Sequence, residues 1–407
     1  MIGVRERRIV RNGSNRIWLT GYMVVSEPTL GRSDLMNEAG EYLDLLGRCR
    51  LSSREEPGGL VGRDIIIVPP EHRELDESTA RELLARFSEN ANLDRIGTQQ
   101  KRALIDGAQT ALSKLSRDEP DVALGEVEKT ALEAIVIAQG VRPVVNFVAG
   151  RLDLADIDLG PWERFTRADA GIIEDVARSI GRINLDGRQI GTGFVVTDTQ
   201  IMTNRHVLAA IAEKTGDGWE MHAGASISFS EDGQGDDGLK FRRDGISTSN
   251  ARSATGVDFS QFDYAIIPVE KGWFRDLPAP LALEETRSNV MFDRPVYVLG
   301  YPGRPQPGTE RFSLLKDLFQ SEYGVKRYCP GTISAALGDI EADSRDTVFG
   351  HDCTTLGGNS GSPVIDLGDG SASVIGIHFA GARRIANYAH SMAALQNEFD
   401  NDKLDFK

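Results

Sequence analysis

From about residue 175 onward, apolar residues come in short runs closed by Gly, Asp or Pro. IGRINLDGRQIGTGFVV sets an Asp186-Gly187 turn between two such runs, and QFDYAIIPVE, RPVYVLGYPG, YCPGTIS and ASVIGIHFAG repeat the pattern. Runs this short do not make helices, and Asp-Gly supplies the positive φ that a two-residue hairpin needs. This part of the chain is therefore restricted to an all-β sandwich or barrel.

Residues 77–139 follow a different period. Ala80, Leu83, Leu84 and Phe87 share a helical face behind Thr79 and Glu82, which have capping-box spacing. Leu104, Ala108, Ala111, Leu112 and Leu115 form a second stripe. Leu124, Val127, Ala131, Ile135 and Ala138 form a third, stopped by Gly140 and Pro143. RDIIIVPP, at 63–70, reads as a buried strand, and the first fifty residues fit neither period. The period changes across 151–174, which contains Gly160-Pro161, and divides the chain into a mixed, largely helical region, 1–165, and a β region, 166–407.

Composition narrows the functional classes. The 407 residues suffice for two or three cores, and 40% hydrophobic with 26% charged residues is ordinary for a soluble globular protein. A net charge of -15 argues against nucleic acid or an anionic membrane as the main partner. No stretch approaches the roughly 18 apolar residues of a membrane span. IWLTGYMVV, near the N-terminus, is interrupted by Thr and Gly and lacks an A-x-A site, so no signal peptide is expected. Cys49, Cys329 and Cys353 are sparse and lack CxxC spacing. They are expected to be buried thiols in a reducing, cytoplasmic setting, with Cys329 and Cys353 on neighbouring strands.

HDCTTLGGNSGSPV, at 351–364, offers several hydroxyls and a thiol in a glycine-rich turn. A serine nucleophile needs an imidazole to take its proton, a carboxylate to hold that imidazole, and N–H groups aimed at the oxyanion. Among six histidines, His206 stands out because it follows a strand-like run in FVVTDTQIMTNRHVLAA. Asp263 opens the apolar run DYAII, and Ser360 lies in GGNSGSP, where glycines permit a tight turn with free N–H groups.

TNRHV, DYAII and GGNSGSPV resemble the histidine, aspartate and serine motifs of chymotrypsin-like serine peptidases, in the same order and at intervals of 57 and 97 residues. GTGFVV, GYPG at 300–303 and GIHFAG at 376–381 are similar to the glutamyl endopeptidase branch. The resemblance covers about 176–395. It implies a mainly β fold, a double β-barrel protease domain preceded by the largely helical region. It also implies a serine endopeptidase acting on protein or peptide through an acyl-enzyme, without cofactor or metal. Carried over, His206 is general base and then acid, Asp263 orients it, and Ser360 is the nucleophile. The N–H groups of Gly358 and Ser360 form the oxyanion hole, and Ser362, where the commoner pattern has glycine, is a structural hydroxyl.

The resemblance further implies that Thr355, His378 and Gly381 line the specificity pocket. In glutamyl endopeptidases a hydroxyl and a histidine at such places hold an acidic side chain, and a buried carboxylate needs such donors. Arg383 and Arg384 either add positive potential or are solvated. Family members also use a freed N-terminal amine, which here would require cleavage near 165–175.

Other readings fit less well. An α/β-hydrolase elbow needs G-x-S-x-G with its partners after the serine, whereas the fifth position is Ser362 and only 47 residues follow Ser360. His351, Cys353, His378 and His390 lack metal-ligand spacing, and EDGQGDDG at 231–238 fails the calcium-loop pattern. Residues 1–165 match no peptidase motif. They are read either as a docking, autoinhibitory or oligomerising module for a protein partner, by analogy with bacterial trypsin-like peptidases joined to recruitment domains, or as a packing extension. Two rival functions stay open: a non-catalytic peptide-binding protein, and a protease latent until a partner engages this region.

Overall fold

The stripes of 77–139 form helices because each buries one face against the others. The computed structural model describes residues 39–40, 42–43, 45–46, 75–117, 122–138, 142–155, 157–216, 218–232, 238–249, 259–270, 276–303, 323–367, 370, 372–382, 386–399 and 404–407. RDIIIVPP, Cys49, Arg383, Arg384 and most of EDGQGDDG lie outside the described residues. Helices α1 (Glu77–Ser88), α2 (Thr98–Leu115) and α3 (Glu126–Ala138) pack into a core of their own with Tyr42, Leu45 and Leu46. The N-cap of α1 is Asp76, whose carboxylate accepts the Thr79 N–H at 2.7 Å, so the Thr79–Glu82 capping box is not formed. Both residues can cap, but α1 starts three residues earlier and Thr79 lies within it. Val127 also departs from its stripe and is exposed, while Leu132 and Val136 are buried. No helix among the described residues is long and apolar enough to cross a membrane.

Strands β1 (Val145–Val148) and β2 (Arg151–Leu152) follow, then helices α4 (Glu163–Ala168) and α5 (Ala170–Arg178). The division at 165 falls inside this packing. Strand β1 pairs with the later strand β13 (Arg327–Ala335) at Val145↔Tyr328, and Phe147, Leu152, Leu159 and Trp162 enter the core between the two main sheets. These strands are two to four residues long, too short to show a period, and are joined by Ala149-Gly150, both at positive φ, so the change of period missed them. The segment 165–175, the place considered for processing, lies within α4 and α5 and the bend between them.

The β region is built from two antiparallel sheets. The first contains β3 (Ile180–Leu185), β4 (Arg188–Thr197), β5 (Gln200–Thr203), β8 (Ala225–Ser228), β9 (Leu239–Lys240), β10 (Ser247–Thr248) and β11 (Ala265–Pro268), in the order β10-β11-β5-β4-β3-β8-β9. Asp186 and Gly187, both at positive φ, turn β3 into β4. Helix α6 (Arg205–Ile211) and the hairpin β6 (Ala212–Thr215)–β7 (Gly218–Met221) branch from it. The second contains β12 (Pro295–Gly300), β13, β14 (Val348–His351), β15 (Pro363–Asp366), β16 (Val374–Ala382) and β17 (Ala386–Ser391). Its order β12-β15-β16-β17-β14-β13 is closed into a six-stranded barrel by β12–β13 pairing. The first sheet curls without closing among the described residues.

Alternation explains the near-continuous apolar runs. Val195, Ala265 and Ile267 fill the first sheet's own core, while their neighbours Phe194, Val196 and Ile266 face the core between the sheets. Likewise Val296 and Val298 point into the closed barrel, and Tyr297 and Leu299 point out of it toward the shared core. Strands buried on both faces have no polar face to show.

A chain limited to 166–407 lacks Val145, Phe147, Leu152, Leu159 and Trp162 from the shared core. Each such side chain contributes about 1.5–3 kcal/mol on burial, and together they rival the roughly 5–15 kcal/mol stability of a domain. Circular-dichroism melting should show that 166–407 lacks the cooperative transition of the full chain.

Candidate active site

Strand pairing brings His206 and Asp263 together. β5 runs antiparallel to β11 with Thr203 opposite Ala265, so the residues just after Thr203 meet those just before Ala265. Asn204, the buried N-cap of α6, donates its Nδ2 to the Asp263 carbonyl at 2.8 Å. One Asp263 carboxylate oxygen accepts the His206 main-chain N–H at 3.0 Å, and the other lies 2.6 Å from the His206 Nδ1. From behind, His390 Nε2 accepts the Asp263 N–H at 3.2 Å. An ionised carboxylate only accepts, so His206 carries its proton on Nδ1 and leaves Nε2 as the basic nitrogen.

The electrostatics follow from this pair. Burial works against the His206 imidazolium, but the Asp263 charge and hydrogen bond prevail and raise its pKa above the usual 6.5. Burial likewise opposes the Asp263 carboxylate, and the His206 partner and hydrogen bonds hold its pKa below the ordinary value.

Ser360 sits in a turn that glycine alone can make. Gly358 and Gly361 have φ of +98° and +84°, and a Cβ on Gly361 would lie 2.2 Å from the Thr192 carbonyl oxygen. Thr192 of β4 clamps the turn: its N–H donates to the Ser360 carbonyl and its hydroxyl to the Gly358 carbonyl, both at 2.9 Å. Beside it, a Cβ on Gly191 would lie 2.8 Å from Val207 Cγ2 and 3.1 Å from the Ser360 carbonyl oxygen. Gly191 thus lies between the residue after His206 and the Ser360 turn. Among the described residues, neither the Gly358 nor the Ser360 N–H donates to a protein acceptor, and no hydrogen bond joins the Ser360 hydroxyl to His206. Ser362 is fully buried, but its hydroxyl has no partner among the described residues, so its structural part is played by its main chain, which bonds Asn359 and His378.

The three expected pocket residues divide into two groups. Thr355 donates its hydroxyl proton to Asn387 Oδ1 at 2.5 Å, and Asn387 Nδ2 donates to the Cys353 carbonyl at 2.9 Å. Gly381 borders the same Asn387, where a Cβ would be 2.6 Å from Oδ1. His378 is bonded elsewhere: its Nδ1 is 3.2 Å from His351 Nε2. His351 Nδ1 has no partner among the described residues. The two rings share one proton between His351 Nε2 and His378 Nδ1. Burial, with the Arg142 charge nearby, lowers the His351 pKa to about 3, and burial holds His378 well below its usual value. Both are neutral near pH 7.

Cys353 is fully buried with a pKa raised by that burial, and burial pushes the Cys329 thiol up to about 12, so neither is a nucleophile. Both are unpaired thiols. Among the described residues no three His, Cys, Asp or Glu side chains are placed to hold a metal ion. Thr192, Asn204, His351, Asn387 and His390 hold the site together, yet nothing in their local sequence singles them out except the glycines around Thr192.

In a pH titration followed by NMR, the His206 ring should change charge above pH 6.5 in the intact protein. In Asp263→Asn the attraction of the carboxylate is lost and the midpoint should fall relative to the intact protein.

A family model for the trypsin-like peptidase domain matches residues 191–377. A "probable serine protease" of Lysobacter enzymogenes is 29% identical over 320 residues, covering 73% of this chain and 81% of its own. A match of that extent does not fit within 166–407 alone and must include part of the N-terminal region. Among solved structures, the active form of the Rv3671c protease of M. tuberculosis is 21% identical, covering 59% of this chain and 87% of its own, with a TM-score of 0.38. Human heparin binding protein is 12% identical, covering 56% and 91%, with a TM-score of 0.40. With the His206–Asp263 pair and the glycine-framed Ser360 turn set between two curved antiparallel sheets, the chain carries a trypsin-like serine peptidase domain.

Proposed function

We propose that this serine peptidase is an endopeptidase with His206, Asp263 and Ser360 as its triad, cleaving after acidic residues. The observation that carries the reading is the bidentate hold of Asp263 on His206, which leaves Nε2 basic, at the ends of β5 and β11 in the same sheet as β4, whose Thr192 clamps the Ser360 turn. His206 Nε2 takes the Ser360 proton as the hydroxyl oxygen attacks the scissile carbonyl. The free N–H groups of Gly358 and Ser360 receive the oxyanion. His206 then gives the proton to the leaving amine, and water repeats the sequence on the acyl-enzyme to release the acid and restore Ser360.

Acidic preference rests on His378. Thr355 has already committed its one hydroxyl proton to Asn387, so the donor left for a substrate carboxylate is the Nε2–H of His378 in the tautomer whose Nδ1 accepts from His351 Nε2. A carboxylate brought into that pocket gains a charge-assisted bond there, whereas an apolar side chain leaves the donor unpaired. The helices of the N-terminal region, rather than its segment 142–162 packed in the shared core, would receive a protein partner.

A fluorophosphonate should label Ser360 in the full chain and fail to label His206→Ala; absence of labelling in the intact protein would favour the non-catalytic peptide-binding alternative. In a peptide library, cleavage should fall mainly after Glu or Asp. His378→Ala should lower turnover of those peptides about tenfold to a hundredfold more than turnover of others, the worth of one charged hydrogen bond. Cleavage mainly after basic or large apolar residues would remove the acidic assignment.

A further inference from the structure

The specificity pocket has a wall, residues 353–355, gripped from two sides. From within the barrel, Asn387 holds the Cys353 carbonyl and the Thr355 hydroxyl. From outside it, Arg142 does the same to the neighbouring atoms. Its Nη2 donates to the Cys353 carbonyl at 3.4 Å, and its main-chain carbonyl accepts the Thr354 hydroxyl at 3.3 Å. Arg142 lies between the helical unit and the barrel, 1% exposed, and its Nη1 is 3.4 Å from the carboxylate of Glu133 on α3, itself 3% exposed. Burial opposes the guanidinium charge, but Glu133 and Asp352 outweigh it and keep Arg142 protonated.

We propose that Arg142 is a positioning residue through which the helical N-terminal unit sets the wall of the specificity pocket, making substrate selection depend on α3. The proposal rests on the endopeptidase reading and adds to it the route by which residues far from the triad act on substrate choice. A guanidinium is suited to this because its planar fork can face a carboxylate and a carbonyl at once, which a lysine ammonium cannot do in fixed geometry. The Cys353 carbonyl is shared between Arg142 and Asn387, and Asn387 also takes the Thr355 proton. Loss of the outer grip therefore frees the wall on one side and lets Asn387 and Thr355 re-pair. The Ser360 turn is clamped separately by Thr192 and should keep its shape.

The test compares the full chain with Glu133→Leu/Arg142→Met, which removes both members of the buried pair together, while Asp352 keeps its bonds from the Thr332 N–H and hydroxyl. Hydrogen exchange across residues 352–356 should quicken at least about tenfold in the double variant, with β3–β5 unchanged, as expected for local opening. On a peptide library varied at the residue before the scissile bond, KM for the preferred residue should rise about tenfold with kcat within about threefold, a change in ground-state binding. The preference should flatten, while fluorophosphonate labelling of Ser360 stays within about twofold of the intact protein. Unchanged exchange at 352–356 overturns the proposal, as does a loss of labelling parallel to the loss of peptide turnover. If the double variant does not fold, Glu133→Gln, which removes the charge and keeps an acceptor, is judged by the same exchange and library criteria. If the intact protein neither labels nor cleaves, the endopeptidase reading falls, and the exchange measurement still decides whether Arg142 holds the wall.

Discussion

Because His206 and Ser360 belong to different sheets, the site depends on the register between those sheets, and Thr192 holds that register. Its N–H and hydroxyl reach across from β4 to the carbonyls of Ser360 and Gly358, while Gly191 beside it leaves room for Val207 on one side and the turn on the other. The same two residues have main-chain N–H groups without an acceptor among the described residues, so one clamp fixes the turn that carries them. A side chain at Gly191 would force α6 and the turn apart. Preorganisation of this kind comes from close packing and hydrogen bonds already made, so it costs nothing when charge develops.

Buried cations do comparable work elsewhere between the masses. Lys326 reaches the Ala177 carbonyl in the last turn of α5, at 2.6 Å, and the Phe229 carbonyl at 3.0 Å. It thereby satisfies a helix-end acceptor that has no partner inside the helix. Burial lowers its pKa to about 8. Arg182 of β3 bonds the Asp232 and Gly324 carbonyls at 3.0 and 3.1 Å, linking the first sheet to the segment before β13. Arg142 plays this part between α3 and residues 353–354. Charges are expensive to bury, and each of these is surrounded by acceptors drawn from separate segments.

Much of the site was legible because it lies in local motifs. His206 after a strand, Asp263 at the head of one and Ser360 among glycines could each be read, since a turn that needs positive φ must use glycine and a hidden strand must be apolar. What surrounds them could not. His390 behind Asp263, Asn387 between Cys353 and Thr355, and His351 against His378 are separated by tens of residues and carry no spacing signal. Thr355 and His378, expected to line one pocket, are each bonded to a different side chain, Asn387 and His351. Similarly, β1, β2 and Trp162 belong to the shared core although their sequence shows neither period clearly.

Two properties were settled by the order of the amino acids alone. The period of the apolar residues decided where helix gives way to strand, since a side chain's facing follows from the geometry of the backbone that carries it. The Gly-rich turn decided where a tight, donor-bearing bend could exist. The tertiary structure decided which polar atoms meet: the pairing of Asp263 with His206, the contact of His351 with His378, and the reach of Arg142 from a helical unit to the Cys353 carbonyl. Those depend on strand register and on the packing of distant segments, because a hydrogen bond forms only within about 3 Å and no local rule fixes such a distance across the chain.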